Sequence, residues 1–245
     1  MTAPRLLLLD VETSPAIVYA WGLHDQNISV DQIIEPSRTI CWGAKWLNHG
    51  SVMYADERKG ARKMFLGIHA LLSECDAVVS FNGDHFDLQK LDGEFVFHRI
   101  PPPPPITSID LYKTVRALGY ISGKLAFVAP YLKIGQKIKN EGFPLWRGCM
   151  NGDAECWKRM QTYNKGDVRL LQNFYLLLRP YIRNHPRLGA PKIGTPRFEC
   201  RHCGECNGPR QSRGYRNTLV FRIQRIQCLK CGGWGDGQKE RRYSS

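Results

Sequence analysis

Long apolar runs are missing from this 245-residue chain. No stretch approaches the roughly 20 residues needed to cross a bilayer, which excludes a helical membrane protein. The amino terminus, MTAPRLLLLDVE, holds a four-residue apolar run that ends in acid. A secretory signal needs about 7–15 apolar residues and a small-residue cleavage site, so secretion is not expected. No internal repeat is visible. Acid is scarce too: 22 Asp+Glu stand against 35 Lys+Arg, a net charge of +13. What remains, 42% hydrophobic and 23% charged residues, is the composition of a soluble globular protein. The length exceeds the usual single-domain range of about 100–200 residues, so one large domain with a small appendage is expected.

The positive charge is unevenly spread. From Tyr181 onward there are 14 Lys+Arg against 4 Asp+Glu, leaving the first 180 residues nearly neutral. A compact basic module beside a near-neutral domain is the footprint of something that grips a polyanion, nucleic acid ahead of a membrane surface. Of the nine cysteines, five (Cys200, Cys203, Cys206, Cys228, Cys231) crowd into the last 46 residues at metal-ligand spacing. That pattern favours bound metal in a reducing, cytoplasmic setting over a disulfide framework.

Three apolar segments, Arg5 to Glu12, Ala16 to Leu23 and Arg38 to Leu47, read as strands of one sheet. Ala61 to Cys75 has helical spacing and feeds a short buried strand, Asp76 to Phe81. Phe86 to Ile100 reads as a helix that halts at Pro101–Pro105, an extended connector. Helices are then expected at Ser108 to Leu118, Leu125 to Leu132, Cys156 to Lys165 and Asp167 to Ile182, with Gly166 weakening the last junction. The whole predicts a mixed α/β domain over residues 1–183. The Pro- and Gly-rich stretch 184–196 reads as a linker, and 197–245 as a small β module in which Asn217 to Gln227 is a strand.

Asp10 and Glu12 end the first strand, where i and i+2 share a face. Like charges together at the end of a buried strand cost several kcal/mol unless a cation neutralises them, so a divalent metal is implied. Asp87 begins a helix just after DAVVSF, where an acid also suits the helix macrodipole. Tyr163 and Asp167, in YNKGD, are spaced to share a helical face.

The segments LLLLDVET, VVSFNGDHFD and YNKGD, in this order, resemble the DEDD superfamily of 3′-5′ exonucleases on the ribonuclease H-like fold. Tyr163 places the resemblance with the tyrosine branch. The resemblance implies a mixed sheet flanked by helices, with Asp10, Glu12, Asp87 and Asp167 binding two Mg²⁺ or Mn²⁺ ions and Tyr163 orienting the attacking water. It selects Asp87 over the nearby Asp84, because Phe-Asp closes the second motif. It also implies that Asn82 and Phe86 line the cleft near a terminal nucleotide; from the residues alone, Asn82 can equally make a turn and Phe86 pack into the core. His85 reads as a loop residue, with a phosphate contact as the alternative. Asp110 resembles an acid that some relatives carry between the second and third motifs, with no catalytic role assigned.

In the tail, Cys200-x-x-Cys203-Gly and Cys228-x-x-Cys231-Gly form two knuckles that resemble a zinc ribbon. Four thiolates suit one structural, tetrahedral Zn²⁺, and the glycines permit the positive-φ turns that aim amides at sulfur. Cys206 and His202 are competing ligands. Arg210, Arg213, Arg216, Arg222 and Arg225, interleaved with Tyr215, Phe221 and Trp234, suit contact with phosphates and unpaired bases, while Phe221 also suits the ribbon's own core. The leading expectation is a two-metal 3′-5′ exonuclease on single-stranded DNA or DNA 3′ ends, with a replication or repair protein as a further class of partner. Two alternatives are a structure-selective endonuclease on the same fold and a non-catalytic adaptor that docks on a polymerase or nucleoprotein.

Overall fold

The first apolar run forms β1 (Leu6–Thr13) and sets the two faces of the main sheet. Downstream come β2 (Ile17–Val18), β3 (Ile33–Glu35), β4 (Thr39–Trp46), β5 (Met53–Asp56), α1 (Ala61–Glu74), β6 (Ala77–Ser80) and α2 (Asp87–Phe97). They are followed by β7 (Thr107–Asp110), α3 (Leu111–Ala117), α4 (Leu125–Tyr131), α5 (Phe143–Met150) and α6 (Ala154–Leu178). The tail holds β8 (Arg210–Asn217), β9 (Phe221–Cys228) and β10 (Trp234–Arg241). The computed structural model describes residues 5–183, 185, 200–204 and 208–242. Residues 184 and 186–196 of the expected linker, and Cys206, lie outside the described residues.

Five strands form a mixed sheet in the order β5-β4-β1-β6-β7, with β1 antiparallel to β4 and parallel to β6. Side-chain alternation along β1 divides the core. Leu6 and Leu8 pack with Val168, Leu171 and Phe174 of α6, while Leu7, Leu9 and Val11 pack with Phe65 and Ile68 of α1 and Leu91 of α2. Each such buried side chain contributes roughly 1.5–3 kcal/mol. Asp10 and Glu12 continue the Leu6–Leu8 row, so the same period of two that buries the leucines turns both acids toward α6.

Several expectations need correction. Ala16 to Leu23 is not a strand of the main sheet: only Ile17–Val18 pairs, with β3, in a separate two-stranded ribbon. Its composition is strand-like, but it lacks the alternation that would bury one face. Ser108 to Leu118 is not one helix. Its first residues belong to β7, and the Asp110 carboxylate accepts the Tyr112 N–H at 3.0 Å, so α3 starts after that cap. A four-residue strand is too short to show a period that distinguishes it from helix. The two helices expected around Gly166 are one, α6. A Cβ at Gly166 would lie 2.3 Å from Ile138 Cδ1, so the glycine serves close packing there rather than a break. Asn217 to Gln227 is not a single strand, because Thr218 closes a turn onto Phe221 between β8 and β9. The short elements β5 and α5 were not foreseen.

The tail forms a three-stranded sheet, β10-β9-β8, and its first cysteine knuckle is tied to α6. His185 bridges them. Its Nδ1 lies 2.9 Å from the Arg201 carbonyl, which can only accept, so that nitrogen donates. Nε2 then accepts from the Tyr175 hydroxyl at 2.9 Å. The Arg201 guanidinium in turn donates to the His185 carbonyl at 3.1 Å.

Candidate active site and metal centres

One carboxylate oxygen from each of Asp10, Glu12 and Asp167 falls within 4.8 Å of the others. Asp167 comes from α6, which approaches β1 closely because Gly43, the cross-strand partner of Asp10, has no side chain. A Cβ at that position would lie 2.2 Å from Asn164 Oδ1. In the space left, Asn164 donates through Nδ2 to the Asp10 carboxylate at 2.8 Å. Asp87 stands outside the three-oxygen cluster but at its edge, where its carboxylate accepts the Val11 N–H at 2.9 Å. Its charge still acts on Asp10 and Glu12.

Electrostatically the site holds more negative charge than it can stabilise alone. Loss of solvation, followed by the charges of Glu12, Asp87 and Asp167, holds the Asp10 carboxyl well above the usual carboxylate range. Burial raises Glu12 to about 8, with Lys137 opposing. Burial raises Asp87 to about 7 against its backbone N–H bonds, and it raises Asp167 as well. Asp167 Oδ1 is buried with no hydrogen-bond partner among the described residues. Clustered hard oxygens, unrelieved charge and an orphaned acceptor together fit a divalent cation.

Two neighbours escaped the sequence reading. Lys137 places Nζ 2.9 Å from Asp167 Oδ2 and 4.9 Å from the Tyr163 ring centre, and it also bonds the Tyr163 hydroxyl. It lies in a loop whose sequence carries no period or motif. Asn164 did have a signal, since it lies three positions before Asp167 on the same helical face. Tyr163 bonds Asp167, and burial raises its phenol, so it stays protonated across the physiological range.

Around the second motif, Asn82 adopts φ 67°, and its N–H bonds Asp110 Oδ1 at 2.7 Å. Asp110 thus caps α3 and pins the turn that leads to Asp87. Asp84 faces away from the acidic cluster, bonded to Lys113 and Ser108. His85 is exposed, and Phe86, directly before α2, has 37% of its surface exposed.

In the tail, the Sγ atoms of Cys200, Cys203, Cys228 and Cys231 lie within 4.8 Å of one another. The two knuckles are built alike. Gly204 and Gly232 take φ 68° and 77°, and their N–H groups bond the carbonyls of Cys200 and Cys228 at 2.8 Å. The bond with Cys203 leads the effects that lower the Cys200 thiol to about 4, which suits a thiolate ligand. His202 is buried beside His185, outside the thiol cluster, with ring centres 5.4 Å apart. Every residue of β8 is exposed, including Arg210, Arg213 and Arg216, and so are Arg222 and Arg225 on β9. Arg216 pairs with Asp236 at 2.9 Å, and Arg222 lies 4.1 Å over the Tyr215 ring. Phe221 is half-buried, and the fully covered β9 side chains are Ile223, Ile226 and Cys228.

The family model described as the RNase_H superfamily matches residues 37–179, more than half of the chain. The chain belongs to the RNase H superfamily. Its five-stranded mixed sheet with flanking helices is the RNase H-like fold, to which the cysteine-bearing three-stranded sheet adds a module of zinc-ribbon form. RNase H-like proteins are mostly nucleases that use divalent metals, and the acidic and thiol clusters of this chain are both able to bind metal. A nucleic-acid substrate follows from that kinship. Among the described residues no helix is long and apolar enough to cross a membrane. A comparison with curated proteins finds no match.

Proposed function

We propose that this RNase H-like protein is a 3′-5′ exonuclease acting on single-stranded DNA or DNA 3′ ends through two Mg²⁺ or Mn²⁺ ions. The supporting observation is the convergence of Asp10, Glu12 and Asp167 from distant parts of the chain, with Asp87 at the rim and Tyr163 alongside. Bound divalent cations would supply water acidification and stabilisation of the leaving 3′ oxygen. The four acids would hold them, and the unpartnered Asp167 Oδ1 is free to ligate. Tyr163, protonated, would position the attacking water through its hydroxyl rather than deprotonate it. Lys137 orients both Tyr163 and Asp167. Residues 197–245 serve as a zinc-held basic module whose arginines take phosphates, separate from the nuclease unit of residues 1–183.

A degradation time course on 5′-labelled single-stranded DNA tests this. With Mn²⁺ the label should shorten progressively from the 3′ end, with EDTA it should stay intact, and Asp167→Ala should lose at least about a thousandfold in rate. Cleavage of a circular strand would replace the exonuclease by an endonuclease. Equal activity of Asp167→Ala and the parent would overturn the site.

A further inference from the structure

Between Ser14 and Arg38 the chain leaves the catalytic strand and returns as a flap. Its root is fixed: Ser14 N–H bonds the Arg38 carbonyl at 2.8 Å, Arg38 N–H bonds Ser14 Oγ at 3.0 Å, and Ser37 Oγ bonds the Ser14 carbonyl at 2.6 Å. Gln32 ties its two arms together, giving its N–H to Ser29 O and its side-chain amide to the Tyr19 carbonyl, while its own carbonyl takes the Tyr19 N–H. The flap is therefore hydrogen-bonded and ordered in form, yet its largest apolar side chains stand in the open. Tyr19, Trp21, Leu23 and Val30 are 73%, 97%, 95% and 82% exposed. So large an apolar display on an ordered element marks an interaction surface.

Beside the flap's returning arm runs a groove of about 660 Å³, with Glu35, Arg38 and Thr39 on one wall and Gln89, Lys90 and Phe97 of α2 on the other. That volume is within the range of about 300–1,000 Å³ typical of small-molecule pockets, so it can hold a nucleoside. Along the chain both walls lead toward the candidate active site: the flap root follows Glu12 by two residues, and α2 begins at Asp87.

We propose that the groove and the flap's aromatic side chains form a nucleobase-binding subsite that guides an unpaired strand to the acidic cluster. The idea rests on the nuclease reading above and adds where, and by which chemistry, the strand is held. Charge selects the occupant. From Pro15 to Ser37 there is no Lys or Arg, but there are three acids, Asp25, Asp31 and Glu35. Such a flap repels phosphate and can meet a nucleic acid only through base faces, which a duplex keeps stacked away. Acids in the groove already have partners: Glu57 is bonded twice by Arg38, at 2.8 and 2.9 Å, and Glu94 accepts the Thr39 N–H at 2.7 Å. Lys90 pairs with no carboxylate among the described residues and sits 6.0 Å from the ring centre of Phe86, beside Asp87. It would take a phosphate one turn of α2 beyond Asp87. The protein thereby divides its labour, with bases held at the flap and phosphates by the basic strands of the tail.

The test uses the full chain with Ca²⁺, which permits binding to be followed without turnover, and reads fluorescence anisotropy of a labelled oligothymidylate, its duplex, and an abasic strand of equal length. Trp21→Ala and Tyr19→Ala should each weaken oligothymidylate binding about five- to hundredfold. They should leave the abasic strand and the salt dependence unchanged, whereas Arg213→Ala should flatten the salt dependence. Trp21→Phe should restore binding, which separates ring stacking from general damage to the flap. Parent-like affinity in the alanine variants, an equal loss on the abasic strand, or a change of oligomeric state on flap substitution would each overturn the proposal. The last result would assign the flap to a second copy. Hydrolysis of thymidine 5′-(p-nitrophenyl phosphate) reports on the acidic cluster without a strand. Its loss in the parent would count against the nuclease reading, while the binding comparison would still decide the subsite.

Discussion

The two clusters of metal-ligating side chains hold like charges together by opposite means. Asp10, Glu12 and Asp167 come from the first strand and the last helix of the main domain, and a double-layered core of Leu, Val and Phe holds them together. The four cysteines come from two tight turns, each closed by its own glycine, over a sheet whose covered side chains are few. In the first case an apolar core enforces the repulsion, and a bound metal would relieve it after folding. In the second a bound metal would take the place of the core, because so small a module buries too little apolar surface to fold alone.

The sharpest way to break this comparison is to remove zinc. Chelation should unfold residues 200–242, seen as protease cleavage within that span and loss of its strand signal. The main domain should keep a cooperative thermal transition. This is the largest effect expected, because binding of structural zinc to such modules contributes on the order of 10 kcal/mol. A tail that resists protease without zinc would show that contacts such as Tyr175–His185–Arg201 suffice to hold it.

How much of this was legible in the sequence depended on whether a signal was local. The cysteine knuckles and the Asp10/Glu12 and Tyr163/Asp167 pairs each announce themselves within five residues, through fixed spacing or a shared face. Lys137 does not, because a loop residue reaches Asp167 only through tertiary packing. Asp110 showed as an acid of unknown purpose, and its role as cap and turn anchor needed the position of Asn82. The flap was misread for the converse reason. Ile17, Tyr19 and Trp21 have the composition of a strand, and composition does not tell a side chain bound for the core from one kept for a partner.

A smaller effect sharpens the account of the acidic side. Tyr163 and Lys137 bond one another and Asp167, so they should act as a unit. Tyr163→Phe and Lys137→Met are each expected to slow cleavage about ten- to hundredfold, the scale of losing one charge-assisted hydrogen bond. The double variant should be no slower than about the worse single one. Multiplying losses would mean that the two side chains act independently. Rates near that of Asp167→Ala would mean that Lys137 holds the cluster together.

The smallest effect concerns pH and separates enforced from relieved repulsion. Unpaired Asp and Glu titrate near 4, while in the folded protein Asp87 is raised to about 7 and Glu12 to about 8, chiefly by burial. Between these values the native state binds more protons than the unfolded chain, so the metal-free protein loses stability as pH rises from about 4 to 8. The contribution of these acids is fully present below their unfolded values and gone above the folded ones. A divalent cation takes over what the protons do, and its stabilisation must therefore grow with pH. The rise in melting temperature caused by Mn²⁺ should be larger at pH 8 than at pH 6 by at least about 3 °C, the shift that roughly 1 kcal/mol gives a chain of this size. Glu12→Gln should shrink that difference by removing one of the titrating groups. Equal shifts at both pH values would mean that the acids are already ionised without metal, and the core would then not be enforcing a repulsion that metal relieves.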